Sequence, residues 1–393
     1  MRVTPRRVLV VVTVATSVGV AVTVPGLAGP EQVPIQVAAN GTPVPGQYIV
    51  TLKPGASTST EAGKVRATGV KRFDGVLNGF SAKLTGSQLD KLRRSDKVAA
   101  IEQDQVVKIT TVQRTPLPWG LDRIDQRSAK LSKSYTYRST GKGVHAYVID
   151  TGITANHPQF GKRARSVWAA PQFNGDGRDL NGHGTHVAGI IGSRQYGVAK
   201  AVQLRSLRVL DRYGQGSMSD VIAALQWLRT NAQKPAVANL SLAGNKSNAA
   251  NEAVSALSRS GVPVVSAAGN GDGATRGYNA CRFSPASAPL TIVVGATTVT
   301  DKRAVWSNFG ECVDIHAPGY GIRSTWRNGS SKVLDGTSMA TPFVAGTAAL
   351  YLSRHPRAKF SDVRRWLVTN STKGKITGLP AGTRNRLLFK GGL

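Results

Sequence analysis

Acidic residues are scarce in this chain: 21 Asp and Glu stand against 51 Lys and Arg in 393 residues, a formal net charge of +30. Cysteine is scarcer still, with two residues, which excludes the disulfide-dense secreted scaffolds that fold without a sizeable core. Charged residues amount to only 18% and hydrophobic ones to 40%, so the chain is not polar enough to remain unfolded. It holds no internal repeat and no low-complexity tail, and beyond residue 24 no stretch is apolar enough to span a bilayer. What is left is room for two or three domains with a large core. The charge excess by itself suits a nucleic-acid binder, so that reading must be tested against the motifs.

The first 40 residues stand apart. Arg2, Arg6 and Arg7 precede an apolar run from Val8 to Val24, which Pro25 and Gly26 break. A basic start, an apolar middle and small residues form the pattern of a secretory signal peptide. The run is near the lower length limit for a membrane anchor, but its Thr, Ser and Gly content and the early proline favour removal. Residues 1–39 are therefore read as signal peptide and leader, cut between Ala28 and Ala39, which leaves an exported chain without a stable membrane anchor. Residues 40–110 then read as a small α+β unit. QYIVTLK at 47–53 alternates as a strand, 70–84 holds another extended stretch, and LTGSQLDKLRRSDKVAAIEQD reads as an N-capped helix followed by a strand. The polar, proline-bearing TTVQRTPLPW is a linker. Of the charged residues, 14 basic and 7 acidic lie in 1–110, which leaves 37 and 14 in residues 111–393. The larger part carries most of the charge.

Residues 141–390 alternate continuous hydrophobic runs with helical patterns. Strands are expected at 144–150, 204–210, 236–242, 262–268 and 291–296, and helices at 183–192, 218–230, 247–259, 338–353 and 361–368. Runs without polar alternation are the mark of a parallel sheet covered on both faces, hence an α/β fold. In such sheets chemistry sits at the carboxyl ends of strands and the starts of the helices that follow. Four polar residues occupy such places beside Gly-rich turns: Asp150 in VIDTG, His183 in NGHGTHVAG, Asn270 after VPVVSAAG, and Ser338 in DGTSMATP.

A carboxylate, an imidazole, a hydroxyl and a carboxamide are the inventory for acyl transfer through a serine nucleophile. A serine hydroxyl attacks only when an imidazole can take its proton, and a carboxylate fixes the tautomer of that imidazole. A serine at a helix N-terminus also turns its own N–H toward the developing oxyanion, and the Asn270 amide can add a second donor. Singly, each residue also reads as a turn, a cap or an N-cap. His183 and His186 form an H-x-x-H pair, which suggests metal, yet the glutamate of H-E-x-x-H is absent and no third ligand stands out. His145, His157, His316 and His355 read as structural or surface residues.

Taken together, VIDTGI, NGHGTHVAG, SAAGN and GTSMATP resemble the four active-site blocks of the subtilisin-like serine proteases, in the order Asp, His, Ser. WGLDRIDQRS at 119–128, SPAS at 284–287, WSNFGECVDIHAPG at 306–319 and NRLLF at 385–389 are similar to the proteinase K and aqualysin branch. The likeness covers residues 111–390, and the 47–109 unit resembles the inhibitor-type propeptide of the same enzymes. The resemblance implies a three-layer fold with a mostly parallel central sheet behind a small α+β propeptide, and a secreted, self-processing serine endopeptidase of broad specificity.

It also implies a triad of Asp150, His183 and Ser338, with Asn270 and Ser338 forming the oxyanion hole. Substrate would lie as an added strand between Gly214-Gln215-Gly216 and Ser241-Leu242-Ala243. Ala267, Ala268 and Gly269 would line a roomy apolar pocket, and Ala243, where these proteases commonly have glycine, would narrow it or shift the backbone. Pro289, Thr291 and Asp314 would hold a structural Ca²⁺, a thin set with one carboxylate. Cys281 and Cys312, an even pair on an exported chain, would be bonded. The expected partners are protein and peptide substrates and the chain's own propeptide, which would act as inhibitor and folding aid and be cut off within 108–114. A monomer without specific nucleic-acid binding is expected. The rival reading is an exported basic protein that grips anionic polymers. Charge alone supports it, because the basic residues (Arg123, Arg163, Arg165, Arg205, Arg229, Arg364 and Arg365 among them) are scattered and accompany no stacking motif.

Overall fold

The computed structural model describes residues 32–37, 43–108 and 118–393. The apolar run at 8–24, the expected leader cleavage sites at Ala28 and Ala39, and residues 109–114 of the expected processing segment lie outside them. Residues 33–393 form one compact unit.

Its first part is a sheet of β1 (Ile35–Gln36), β2 (Pro43–Leu52), β3 (Thr68–Arg72), β4 (Gly79–Lys83) and β5 (Val98–Lys108), crossed by helices α1 (Thr58–Lys64) and α2 (Gly86–Arg93). The strand order is β1-β5-β2-β4-β3. The expected N-cap of α2 is a capping box, in which Thr85 and Gln88 each bond the other's backbone N–H. Strand alternation divides the apolar residues between two faces. Val50, Leu52 and Phe80 pack with Leu89 and Leu92 of α2. Ile49, on the other face, joins Phe73, Val76 and Leu77 in a cluster that belongs to the larger part.

That part runs α3 (Trp119–Ile124), β6 (His145–Asp150), β7 (Ala164–Ala169), α4 (His183–Gly192), β8 (Gln203–Arg208), β9 (Gln215–Ser217), α5 (Met218–Asn231), β10 (Ala236–Leu240), β11 (Gly244–Asn245), α6 (Asn248–Arg259), β12 (Val264–Ala267), β13 (Phe283–Ser284), β14 (Ile292–Thr297), β15 (Ile315–Pro318), β16 (Ile322–Thr325), β17 (Ser331–Leu334), α7 (Thr337–Arg354), α8 (Phe360–Asn370), β18 (Thr372–Lys373) and β19 (Arg386–Leu387). Nine strands form the central sheet in the order β18-β19-β15-β14-β12-β10-β6-β8-β7. All pairings are parallel except β18 with β19. α4 and α7 cover one face with residues such as Val187, Ile190, Val344 and Ala348. α5 and α6 cover the other with Ile222, Leu225, Val254 and Leu257. Burial on both faces is why the strands read as unbroken apolar runs. The result is the expected three-layer α/β architecture.

The scarcity of acids has a structural answer. Arg123, fully buried, pairs bidentately with Asp301 at 2.7 and 2.9 Å, but many other arginines bond backbone carbonyls instead. Arg163 donates to Gly192 and Val202, Arg205 to Arg163 and Leu204, and Arg303 to Gly378, Ala304, Val305 and Ser307. These guanidinium groups close loops by filling orphan acceptors.

Candidate active site

β6 ends at Asp150, which is completely buried. Its two oxygens stand 2.7 and 2.9 Å from His183 Nδ1, and the Thr151 N–H also donates to Oδ1 at 2.7 Å. His183 is the first residue of α4, and Gly182 precedes it with φ +113°. A side chain at Gly182 would run into the Trp326 ring, and a Cβ on Gly184 would lie 2.1 Å from the Gly152 carbonyl. The tight turn thus fixes the imidazole on the carboxylate. Because Nδ1 carries the proton toward Asp150, Nε2 is the basic nitrogen, and it has no hydrogen-bond partner among the described residues.

Ser338 lies in the first turn of α7, the buried helix behind the sheet. Pro342, four residues on, has no N–H to give the Ser338 carbonyl. Ser241 fills that vacancy: its Oγ donates to Ser338 O at 2.8 Å, and the Ser338 hydroxyl donates back to Ser241 O at 3.0 Å. Asn270 follows β12 and accepts from both the N–H and the hydroxyl of Thr337, at 2.8 and 2.6 Å. Its amide oxygen is thereby held beside the start of α7, and Nδ2 is its donating end. Asp150 and His183 are brought into direct contact. The Ser338 hydroxyl rests on Ser241 rather than on the imidazole.

One of the segments expected to bind substrate is paired here with the chain's own β5. β9 pairs antiparallel with the end of β5, matching Ser217 with Val106, Gly216 with Val107 and Gln215 with Lys108. Gly214 is instead a turn residue, with φ +74° and its N–H on Asp211 O, and Ser217 takes its place in the ladder. Ser241 and Leu242 are buried. Just beyond them, Gln105 of β5 bonds both backbone groups of Asn245, at 2.7 and 3.0 Å. Ala267 and Ala268 are buried and Gly269 has φ +96°. A Cβ built on Gly269 would sit 3.9 Å from the Ala243 methyl, so the alanine reaches the expected pocket wall. Sequence reasoning missed Asn308. This buried amide donates to Ala268 O at 2.8 Å and accepts from the Gly271 and Tyr278 N–H groups, so it holds the strand end that carries Ala268, Gly269 and Asn270. The WSNFG segment that contains it was the only signal.

The one carboxylate expected to hold calcium already carries an arginine. Asp314 is buried, and its Oδ1 takes the Arg364 guanidinium at 2.6 and 3.2 Å while Oδ2 takes the Val293 N–H. Pro289 and Thr291 were expected to offer backbone carbonyls, and the Thr291 hydroxyl donates elsewhere, to Ser266 Oγ and Val264 O. The single carboxylate of the set already faces a cation, and like charges would repel there. Among the described residues no group of three or more His, Cys, Asp or Glu could hold a metal ion. Arg364→Gln should therefore lower stability by about 1–3 kcal/mol, since it strips a buried carboxylate of its charged donor. A calorimetric melt checks this, and an unchanged transition would contradict the assignment.

The H-x-x-H pair is not a metal site either. Burial drives the His186 imidazole down to about 3, and its Nε2 donates to the Ile322 and Lys332 carbonyls. Cys281 and Cys312 are bonded across 31 residues of chain, a closure that contributes about 3–4 kcal/mol in the chain-entropy view. His316 is fully buried and neutral, held down to about 4 by desolvation. His355 is exposed and stacks on Tyr351.

Comparison with known proteins agrees with this geometry. The subtilase family model matches residues 141–386, and the peptidase inhibitor I9 model matches residues 47–110. The extracellular serine proteinase of Thermus sp. (strain Rt41A) is 41% identical over 93% of this chain and 94% of its own length. Proteinase R of Parengyodontium album is 40% identical over 90% of this chain and 91% of its own. A crystal structure of a cold adapted subtilisin-like serine proteinase superposes with a TM-score of 0.67 at 46% identity, covering 69% of this chain and 97% of that one. A parallel sheet with Asp150 locked onto His183 and an inhibitor-type domain laid over β9 thus has its explanation: the chain belongs to the subtilase family and is a subtilisin-like serine endopeptidase made as a zymogen with its own I9 propeptide.

Proposed function

We propose that Ser338 is the nucleophile, His183 its general base and Asp150 the carboxylate that orients the base. The observation that carries this reading is the buried Asp150–His183 contact, which leaves Nε2 without another partner among the described residues. In this reading the Ser338 hydroxyl leaves Ser241 O and turns to Nε2 when substrate binds. Attack on a peptide carbonyl then passes the hydroxyl proton to Nε2, and the oxyanion is met by the Ser338 N–H and Asn270 Nδ2. The imidazolium returns the proton to the leaving amine, and water, activated by the same base, frees the acyl group. Hydrolysis of denatured casein that a serine-directed sulfonyl fluoride blocks tests the reading. Cleavage indifferent to the inhibitor would refute it.

Substrate is proposed to add as a strand on Gln215–Ser217, opposite Ser241-Leu242-Ala243. Main-chain pairing ignores most side chains, which gives broad specificity, and Ala267, Ala268 and Gly269 form the apolar pocket for the residue before the cut, narrowed by Ala243. The propeptide occupies this same edge through Val106–Lys108, which supports product-like self-inhibition and a self-cut in the segment that follows. Export of the chain is proposed from the N-terminal pattern. Within the range from Ala28 to Ala39, the earlier cut is favoured, because Ile35 and Gln36 are paired with Ile101 and Glu102 of β5 and a cut after Ala39 would remove that strand.

The propeptide is also held by two buried carboxylates. Glu102 accepts from the Ser247 hydroxyl and the Ala249 N–H at the start of α6, and Asp104 accepts from the Ser219 N–H at the start of α5. Burial pushes Asp104 up to about 6, with Asp220 adding in the same direction, and raises Glu102 as well. A carboxyl raised on binding holds an extra proton in the complex, so its contribution is complete near pH 4 and is lost as pH rises through 6. Propeptide inhibition of the mature enzyme should weaken about a hundredfold between pH 4 and pH 7 from Asp104 alone, and Asp104→Asn should flatten that part of the slope. A pH series of inhibition constants checks it; tighter inhibition at pH 7 would contradict it.

A further inference from the structure

Asp179 is a buried carboxylate that the proposed reaction does not use. No cation lies within ion-pair distance of it among the described residues, yet it accepts five hydrogen bonds. Oδ1 takes the Thr151 hydroxyl at 2.9 Å, the Asn181 N–H at 3.0 Å and the Gly182 N–H at 2.7 Å. Oδ2 takes the Thr185 N–H at 2.9 Å and the Thr185 hydroxyl at 2.6 Å. A carboxyl group six per cent exposed that gathers this many donors has a fixed orientation.

The donors come from two elements. Thr151 follows Asp150 at the end of β6, whereas Gly182 and Thr185 flank His183 at the start of α4. Thr151 is itself a bridge, because its hydroxyl donates to Asp179 and accepts the Gly184 N–H at 2.9 Å. A helix beginning at Gly182 has no side-chain N-cap, so its first N–H groups need outside acceptors. Asn181 takes that of His183, Thr151 that of Gly184, and Asp179 that of Thr185. Asp179 thus ties the strand end that carries the carboxylate to the turn that carries the imidazole.

We infer that Asp179 is a positioning residue that sets the register of the Asp150–His183 pair. The inference rests on the triad reading above. An asparagine at this position keeps the oxygen on three donors but turns an N–H against the N–H of Thr185, and it removes a negative charge beside the helix start. The pair should slip by a fraction of an ångström, and misplacement on the scale of one ångström costs about 100-fold in rate.

Kinetics on the processed enzyme test this, with Asp179→Asn precursor cleaved in trans if it fails to process itself. The expected result is kcat lower by about 10- to 100-fold at a KM within about twofold, with the acid limb of kcat/KM moved to lower pH as His183 loses its negative neighbourhood. Asp122→Asn is the comparison. Asp122 is a similarly buried carboxylate that accepts from Ser132 and Lys133, ten and eleven residues on, and its loss should lower the melting temperature and leave kcat and the acid limb in place. If Asp179→Asn behaves like Asp122→Asn, the inference is overturned. Should Asp179→Asn not fold, Thr151→Val decides: a fall in kcat at constant KM supports the role, and an unchanged kcat overturns it. His183→Ala separates the two levels. An inactive His183→Ala beside a fully active Asp179→Asn removes the inference alone, whereas an active His183→Ala removes the triad reading itself.

Discussion

Replacing Ser338 by alanine should leave a full-length, unprocessed precursor with no measurable proteolysis. Two losses coincide in this one change. The proposed nucleophile is gone, so neither substrate nor the chain's own junction should be acylated. Triad members act as a unit, so removing one costs about as much as removing all, on the order of 10⁶-fold in kcat. Folding should survive. Among the described residues the Ser338 hydroxyl donates only to Ser241 O, and the reverse bond from Ser241 uses the Ser338 backbone carbonyl, which alanine keeps. Gel mobility and a melting curve read both outcomes together. A mature-sized product from this variant, in a host free of other proteases, would show that the cut is made by something else.

The second large effect is expected at Asn270. Asn270→Ala removes the proposed side-chain donor to the oxyanion, so kcat should fall about 10²- to 10³-fold, equivalent to roughly 3–4 kcal/mol of barrier. KM should stay within about threefold, because the lost contact exists only when charge builds on the carbonyl oxygen. Thr337 loses an acceptor for its N–H and hydroxyl at the same time, so a modest loss of stability should accompany the kinetic change. A variant with normal kcat would place the oxyanion donors elsewhere. Precursor processing runs through the same intermediate and should slow in parallel.

The parts of the molecule legible in the sequence are those where one physical rule dominates. Strands β6, β10, β12 and β14 are buried on both faces, so their apolar runs could be seen without any partner. The residues at their carboxyl ends followed from the rule for open parallel sheets. Elsewhere the signal was too short or too mixed. α1 is TSTEAGK, with no apolar stripe to read, and β7 is an edge strand whose residues are mostly exposed or half-buried. β15 is four residues long and includes a histidine and a proline.

Site details were lost for related reasons. The turn at Gly214 just before the ladder with β5 depends on a left-handed glycine, which residue type permits without requiring. The calcium expectation relied on backbone carbonyls, which no side chain announces, and on Asp314, whose actual partner Arg364 lies 50 residues away. Asp179 stands four residues before His183, but its role appears only when Thr151 and Thr185 are seen converging on it. The charge excess likewise changed meaning in the fold. Arginines that looked like a polyanion-binding surface turned out in several places to be internal donors to carbonyls, in a chain with few carboxylates to offer them.

The account stands most directly on which atom becomes acylated. The mature enzyme should be treated with a serine-directed sulfonyl fluoride, digested, and mapped by mass spectrometry. One adduct on Ser338 is predicted, formed in step with loss of casein hydrolysis and absent when His183 is replaced by alanine. An adduct on another residue that tracks the loss of activity, or full activity with Ser338 labelled, would contradict it.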